Sequence, residues 1–150
     1  MGTRADFYIG IGPAAEWLGS VTYDGHPEYN GKGPLAADSE EAFRLAVATL
    51  LDDPKILSTS PSEGWPWPWE DSRTTDYAYA WTADRGAVLS VFGRPWVTLS
   101  ELSARGDAYY EDEVKLRDDE VVDMRSRKMD RDGVLAKSGL IILAGQRERR

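Results

Sequence analysis

Between Ser39 and Asp53 apolar side chains recur at helical spacing, and on both sides of that stretch the chain alternates at the period of a strand. No other feature constrains the fold as much. Phe43, Ala46, Val47, Leu50 and Leu51 fall on one helical face, with Leu50 at its centre and so expected to be deeply buried. Asp38 is placed to cap the start, Glu41 completes a capping-box spacing, and Pro54 ends the helix. Asp6 to Ile11 reads as a strand, broken by Gly12-Pro13. Trp17 to Tyr23 reads as a second, with Trp17, Val21 and Tyr23 on one face, which makes an opening hairpin. Residues 25–34 and 58–75 are loop-like. Thr75 to Thr82 alternates cleanly, Asp84-Arg85-Gly86 signals a turn, and Ala87 to Phe92 returns as a strand, with Trp96 to Leu99 extending or following it. Ser100 to Arg105 fits one helical turn ended by Gly106, and Leu140 to Ala144 reads as a short buried strand. The expectation is an α+β fold: an antiparallel sheet of about five strands, from two hairpins plus a C-terminal strand, with one main helix (about 39–53) packed on it.

The 150 residues suit a single domain, with 107–137 as a charged segment expected to be mobile and 146–150 as a polar tail. Cysteine is absent, which excludes disulfides, thiolate nucleophiles and cysteine zinc sites. No apolar run approaches the ~20 residues of a membrane span, and no secretory signal is visible, so the expected setting is the cytoplasm. The formal net charge of −8 disfavours direct binding to nucleic acid and to anionic membranes. Residues 107–123 concentrate that charge, with eight acidic against two basic side chains. Glu111, Asp112, Glu113, Asp118, Asp119 and Glu120 make this stretch either a solvated surface or a mating surface for a basic protein partner.

Several letter patterns fail on mechanism. Gly10-Ile-Gly-Pro-Ala-Ala15 spells a dinucleotide fingerprint, but a strand follows where the pyrophosphate-binding helix should begin, so it reads as a hairpin turn. Asp130-Arg-Asp-Gly133 resembles part of a calcium loop, yet its first and last ligand positions fall on Lys128 and Gly139. His26 is the single histidine and reads as a solvated loop residue or a lone base. No metal ligand set and no cofactor are expected. Glu70, Asp71 and Asp76 beside tryptophans carry the ingredients of a small hydrolase, although capping and turn bonds explain them more simply.

The stretch that points to function is Gly64-Trp65-Pro66-Trp67-Pro68-Trp69, continuing to Tyr77, Tyr79 and Trp81. Pro66 and Pro68 hold the preceding tryptophans in extended backbone, where alternate residues share a side. Three indoles can then line one surface with little ordering entropy left to lose, and Arg73 and Arg94 are near in sequence to meet an anionic group. The competing reading makes these indoles a cover over the open face of the sheet.

Arg4-Ala5-Asp6-Phe7-Tyr8 with Ala15-Glu16-Trp17-Leu18-Gly19-Ser20, and Trp65 to Trp69 with Thr74-Thr75-Asp76-Tyr77, resemble a set of short bacterial and phage proteins of no known function. The resemblance covers about the first hundred residues. It implies a prokaryotic or phage source and a cytosolic setting, and it carries no site. From the residues themselves, the leading expectation is a non-enzymatic binding protein that uses Trp65, Trp67, Trp69, Tyr77, Tyr79, Trp81, Arg73 and Arg94 to recognise a nucleotide-like or other small planar ligand. An acidic interaction module or inhibitor, for example phage-encoded and acting on a basic host protein, is one alternative. The small hydrolase is the other.

Overall fold

The computed structural model describes residues 3–30 and 32–111. In chain order the elements are β1 (Ala5–Ile9), β2 (Glu16–Val21), α1 (Pro27–Asn30), α2 (Glu40–Asp52), β3 (Ser58–Thr59), β4 (Tyr77–Thr82), β5 (Gly86–Val91), α3 (Leu99–Arg105) and α4 (Asp107–Tyr110). The strands form one five-stranded sheet in the order β3-β2-β1-β4-β5.

The two expected hairpins are present, β1–β2 and β4–β5, both antiparallel. They lie side by side, and the strands that meet, β1 and β4, are parallel. The sheet is therefore mixed and not antiparallel throughout. A parallel pair needs a long crossover, and residues 10–76 supply it, with α2 inside it. The fifth strand is β3, which pairs with β2 inside the stretch read as loop. The strand expected at Leu140 to Ala144 lies outside the described residues, as does the tail. The one-helix expectation also gives way, since α3 and α4 follow the second hairpin. Thr98 and Glu101 form a reciprocal capping box at the start of α3, and Gly106 closes it as expected.

Helix α2 begins one residue later than its expected cap. Ser39, not Asp38, accepts from the Ala42 N–H at 3.0 Å. Its buried residues are Phe43 and Val47; Leu50, expected to be deeply buried, is only partly so, and Phe43 and Val47 are the centre of the buried face.

The sheet has two buried faces. On the first, Ala5, Phe7, Val21, Tyr77, Tyr79, Leu89 and Val91 pack against Phe43, Val47, Leu35, Val97 and Tyr109. On the second, Tyr8, Trp17, Ala78, Ala80, Val88 and Trp96 pack with Trp65 and Ile11. The alternation of β4 is as read, with aromatic rings towards the helix and alanines on the other side. That of β2 is not. The register slips opposite Phe7/Tyr8, and Gly19 takes φ +144. This bulge turns Trp17 to the second face while Val21 stays on the first. A Cβ at Gly19 would lie 2.6 Å from Leu51 Cδ1 and 2.9 Å from the Thr59 carbonyl oxygen, so the bulge also brings α2 and β3 close. Tyr23 lies past the strand and is exposed.

Candidate functional site

Asp6 is the second residue of β1, on the second face, with no solvent exposure. Its Oδ1 accepts from Ser20 Oγ (2.6 Å) and from the Trp67 indole N–H (2.6 Å). Its Oδ2 accepts from Ser72 Oγ (2.5 Å) and Thr75 Oγ1 (2.7 Å). A hydroxyl has one proton. Each hydroxyl that gives its proton to Asp6 can serve its other neighbour only as an acceptor. That neighbour is in each case an aromatic donor: Trp17 Nε1 on Ser20 (3.1 Å), Tyr8 OH on Ser72 (2.7 Å) and Trp69 Nε1 on Thr75 (2.8 Å). One carboxylate thus orients three indoles and a phenol, directly or through one hydroxyl. Burial raises the Asp6 pKa above the ordinary carboxylate value, and the four donors pull in the opposite direction.

This network decides what the Trp-Pro-Trp-Pro-Trp loop does. Trp65 packs on the second face, edge-on to Trp17 at 5.2 Å, and its Nε1 donates to the Trp69 carbonyl oxygen. Trp67 and Trp69 stack at 5.3 Å with planes 14° apart, and both stay half-buried. The loop is therefore a cover whose polar edges point inward. The chain bends from Trp67 to Glu70 and returns the Trp69 carbonyl oxygen to the Trp65 indole, so the loop is not the extended run expected from Pro66 and Pro68, and the surface the indoles line is chiefly the underside of the sheet.

The eight expected ligand-binding residues do not share one surface. Tyr77, Tyr79 and Trp81 lie on the helix face, across the sheet from the loop. Tyr79 is fully buried, stacks on Phe7 at 5.2 Å and donates to the Gly25 carbonyl oxygen. Trp81 packs against Phe43. Arg94 gives two hydrogen bonds to the Tyr110 carbonyl oxygen at the end of α4 and one to the Val91 carbonyl oxygen. Arg73 is half-buried in a 3₁₀ turn capped by Asp71. Trp67 and Trp69 are left half-buried at the surface, and Tyr77, 8% exposed, is reached only where it lines a cleft.

All three lie at the end of the sheet where β1 and β4 begin and β5 ends, the two indoles on the loop face and Tyr77 on the helix face. A cleft of about 380 Å³ opens there, lined by Thr3, Arg4, His26, Asp76, Tyr77, Val91 and Phe92. Arg4 joins it to the loop. Its guanidinium lies 5.9 Å from the Trp67 ring centre and 3.8 Å from Asp76 Oδ2, and its backbone N–H donates to the same oxygen at 3.0 Å. His26 is exposed, as expected, but its loop is tightly held. Gly25 N–H bonds the Thr3 carbonyl oxygen, and the Asn30 amide bonds the carbonyl oxygens of Asp24 and His26. A Cβ at Gly25 would come within 2.7 Å of the Thr3 carbonyl oxygen, so only glycine lets the loop press on β1 and bring the His26 ring edge-on to Tyr77 at 5.3 Å. Burial pushes the Tyr77 hydroxyl up to about 12, so it is a neutral donor at physiological pH.

Two non-glycine residues among those described have positive φ: Asp24 at 64° and Phe92 at 48°. Asp24 precedes His26 by two residues, and Phe92, 42% exposed, lines the cleft. Such backbone costs about 1 to 2 kcal/mol for a side-chain-bearing residue. Periodicity gave no sign of this cleft, because its lining comes from the ends of strands and from loops. The signals that existed were Gly25 and the lone His26.

The remaining motifs have simple places. Residues 10–15 form the turn between β1 and β2, with Gly10 at φ +86 and Gly12 at φ +94. Glu70 is exposed in the loop, Asp71 caps the 3₁₀ turn and Asp76 lines the cleft, so the three acids are spread over separate surroundings. Glu111 is exposed; Asp112, Glu113, Asp118, Asp119 and Glu120 lie outside the described residues, as do Asp130 to Gly133. Among the described residues no group of three or more His, Asp or Glu side chains could hold a metal ion, and no helix is long and apolar enough to cross a membrane. Compared with known proteins, the chain matches no family model, no curated sequence and no solved structure.

Proposed function

We propose that the protein is a non-enzymatic binding protein that holds a small planar ligand in the cleft between Arg4, His26, Tyr77 and Phe92, beside the Trp67–Trp69 stack. The cleft volume falls in the range of small-molecule sites, roughly 300 to 1,000 Å³. Three ring-bearing side chains offer flat faces or edges, and one cation and one carboxylate offer polar contacts. The observation that carries the reading is Phe92. A strained backbone presents a large apolar ring to solvent at the mouth of the cleft, with Gly93 next in the chain where a glycine would cost nothing. Strain kept at an exposed residue is a mark of a binding role.

Phe92→Gly separates binding from packing. It removes the ring and relieves the positive φ, so stability should change by no more than about 1 kcal/mol. Calorimetric titration of wild type with a panel of nucleobases, nucleosides, nucleotides and short sugars should give binding that the variant loses. Binding retained at full strength by Phe92→Gly would remove the cleft as the site.

A further inference from the structure

We infer that the cleft reads the edge of an uncharged planar heterocycle that carries adjacent N–H donors, the edge shared by guanine and pterins, through the Asp76 carboxylate, and that it does not take nucleoside di- or triphosphates. The inference rests on the cleft being the ligand site.

The charges of the lining set the first limit. Arg4 is the one Lys or Arg among the seven lining residues, and it already faces Asp76 at 3.8 Å. A polyphosphate would meet one shared guanidinium, a neighbouring carboxylate and a chain of net charge −8. Phosphate sites depend on several cationic or backbone N–H donors, and this lining does not supply them. The polar part of the ligand is therefore neutral or singly charged.

The hydrogen-bonding character of Asp76 sets the second. An ionised carboxylate only accepts, at about four lone-pair sites. At Asp76 the Arg4 backbone N–H occupies one site on Oδ2, and the side chain remains 39% exposed. The Asp76 backbone is fixed as well, because its carbonyl oxygen accepts from the Phe92 N–H at 3.1 Å. The same bond ties the Asp76 backbone to that of the residue whose ring offers the apolar wall. Asp76 and Phe92 line the same cleft, so a heterocycle held against Phe92 has an acceptor-only group within reach of its edge. Guanine and pterin edges present two neighbouring N–H donors there. Adenine presents one donor beside a ring nitrogen acceptor, which a carboxylate repels.

Calorimetric titration of the full chain with guanosine, inosine, adenosine, GTP and a soluble pterin tests this. Guanosine should bind about ten- to a hundred-fold tighter than adenosine, the scale of a hydrogen bond to a charged group, with inosine, which lacks one donor, between them. GTP should bind no tighter than guanosine. Asp76→Asn should abolish the preference for guanosine over adenosine. A pterin tighter than guanosine would support the inference and identify the source of the edge. The wild-type comparison of guanosine with inosine and adenosine stands even if Asp76→Asn fails to fold. Adenosine binding as tightly as guanosine, or GTP ten-fold tighter, would overturn the inference. If that adenosine binding is lost in Phe92→Gly, the cleft as a site survives without this specificity. No binding by any of the five compounds would overturn this inference, and binding of another member of the wider panel that Phe92→Gly loses would leave the cleft as the site.

Discussion

The two faces of the sheet are buried by different means. On the helix face Phe43 and Val47 meet Phe7, Tyr79 and Leu89, and apolar area does the work, at roughly 25 cal/mol per Å². On the other face a loop of residues 64–75, with little regular structure, lies over alanines. An irregular segment brings polar backbone and indole N–H groups into a buried site, and each unpaired one costs about 1 to 3 kcal/mol. Asp6 answers that cost by accepting four hydrogen bonds, three of them from hydroxyls that themselves accept from aromatic donors. The helix face should tolerate damage gradually. The loop face depends on one atom group and should fail as a unit.

The largest effect should come from Asp6→Ala. It leaves the Trp67 N–H and three hydroxyls without their acceptor, and a loss of about 5 kcal/mol is expected. That is comparable to the whole stability of many domains, so chemical denaturation should show a protein partly unfolded in water. Loss of less than about 1 kcal/mol would mean the loop is held by packing alone. Next is Phe43→Ala on the helix face, expected to cost about 3 to 5 kcal/mol, with Leu50→Ala costing less because Leu50 is only partly buried. The reverse order in denaturation midpoints would misplace the centre of that face.

The smallest effect is alkaline. Burial raises Tyr77 and Tyr109, each to about 12, and raises Tyr79 further. A folded pKa above the unfolded one, about 10, contributes stability that is complete below pH 10 and is lost as pH rises through 12. Phenolate absorbance should show these tyrosines ionising late, and melting temperature should fall over that window. Early ionisation of all tyrosines together with unchanged melting would show the helix face to be more open than its packing implies.

The sequence made the local elements legible because each has its own period. The helix face of α2, the two hairpins and the alternation of β4 could be read from spacing alone. Partner choice could not, because alternation gives the face of a strand and not its neighbour, so the parallel β1–β4 pairing was hidden. The Gly19 bulge was hidden too, and with it the side taken by Trp17. The tryptophan loop stood out at once, and the reading of it as a cover was already available. Asp6 did not stand out, because a lone acid in an apolar strand looks like the outward residue of an alternating pattern. The cleft was least legible, since Thr3, His26, Asp76 and Phe92 come from four separated stretches, joined through the backbone of Gly25 and Asp76.

The dependence of the whole loop on Asp6 can be watched directly through the indole protons, in hydrogen exchange followed by nuclear magnetic resonance. In the wild type the Nε1 protons of Trp17, Trp67 and Trp69 should exchange slowly. In Asp6→Asn, which keeps the shape and removes the charge, all three should speed up together by a common factor, while the amides of Phe43 and Val47 in α2 keep their protection. Acceleration at Trp67 alone, the one indole bonded directly to Asp6, would contradict the idea that a single carboxylate holds the loop as a unit.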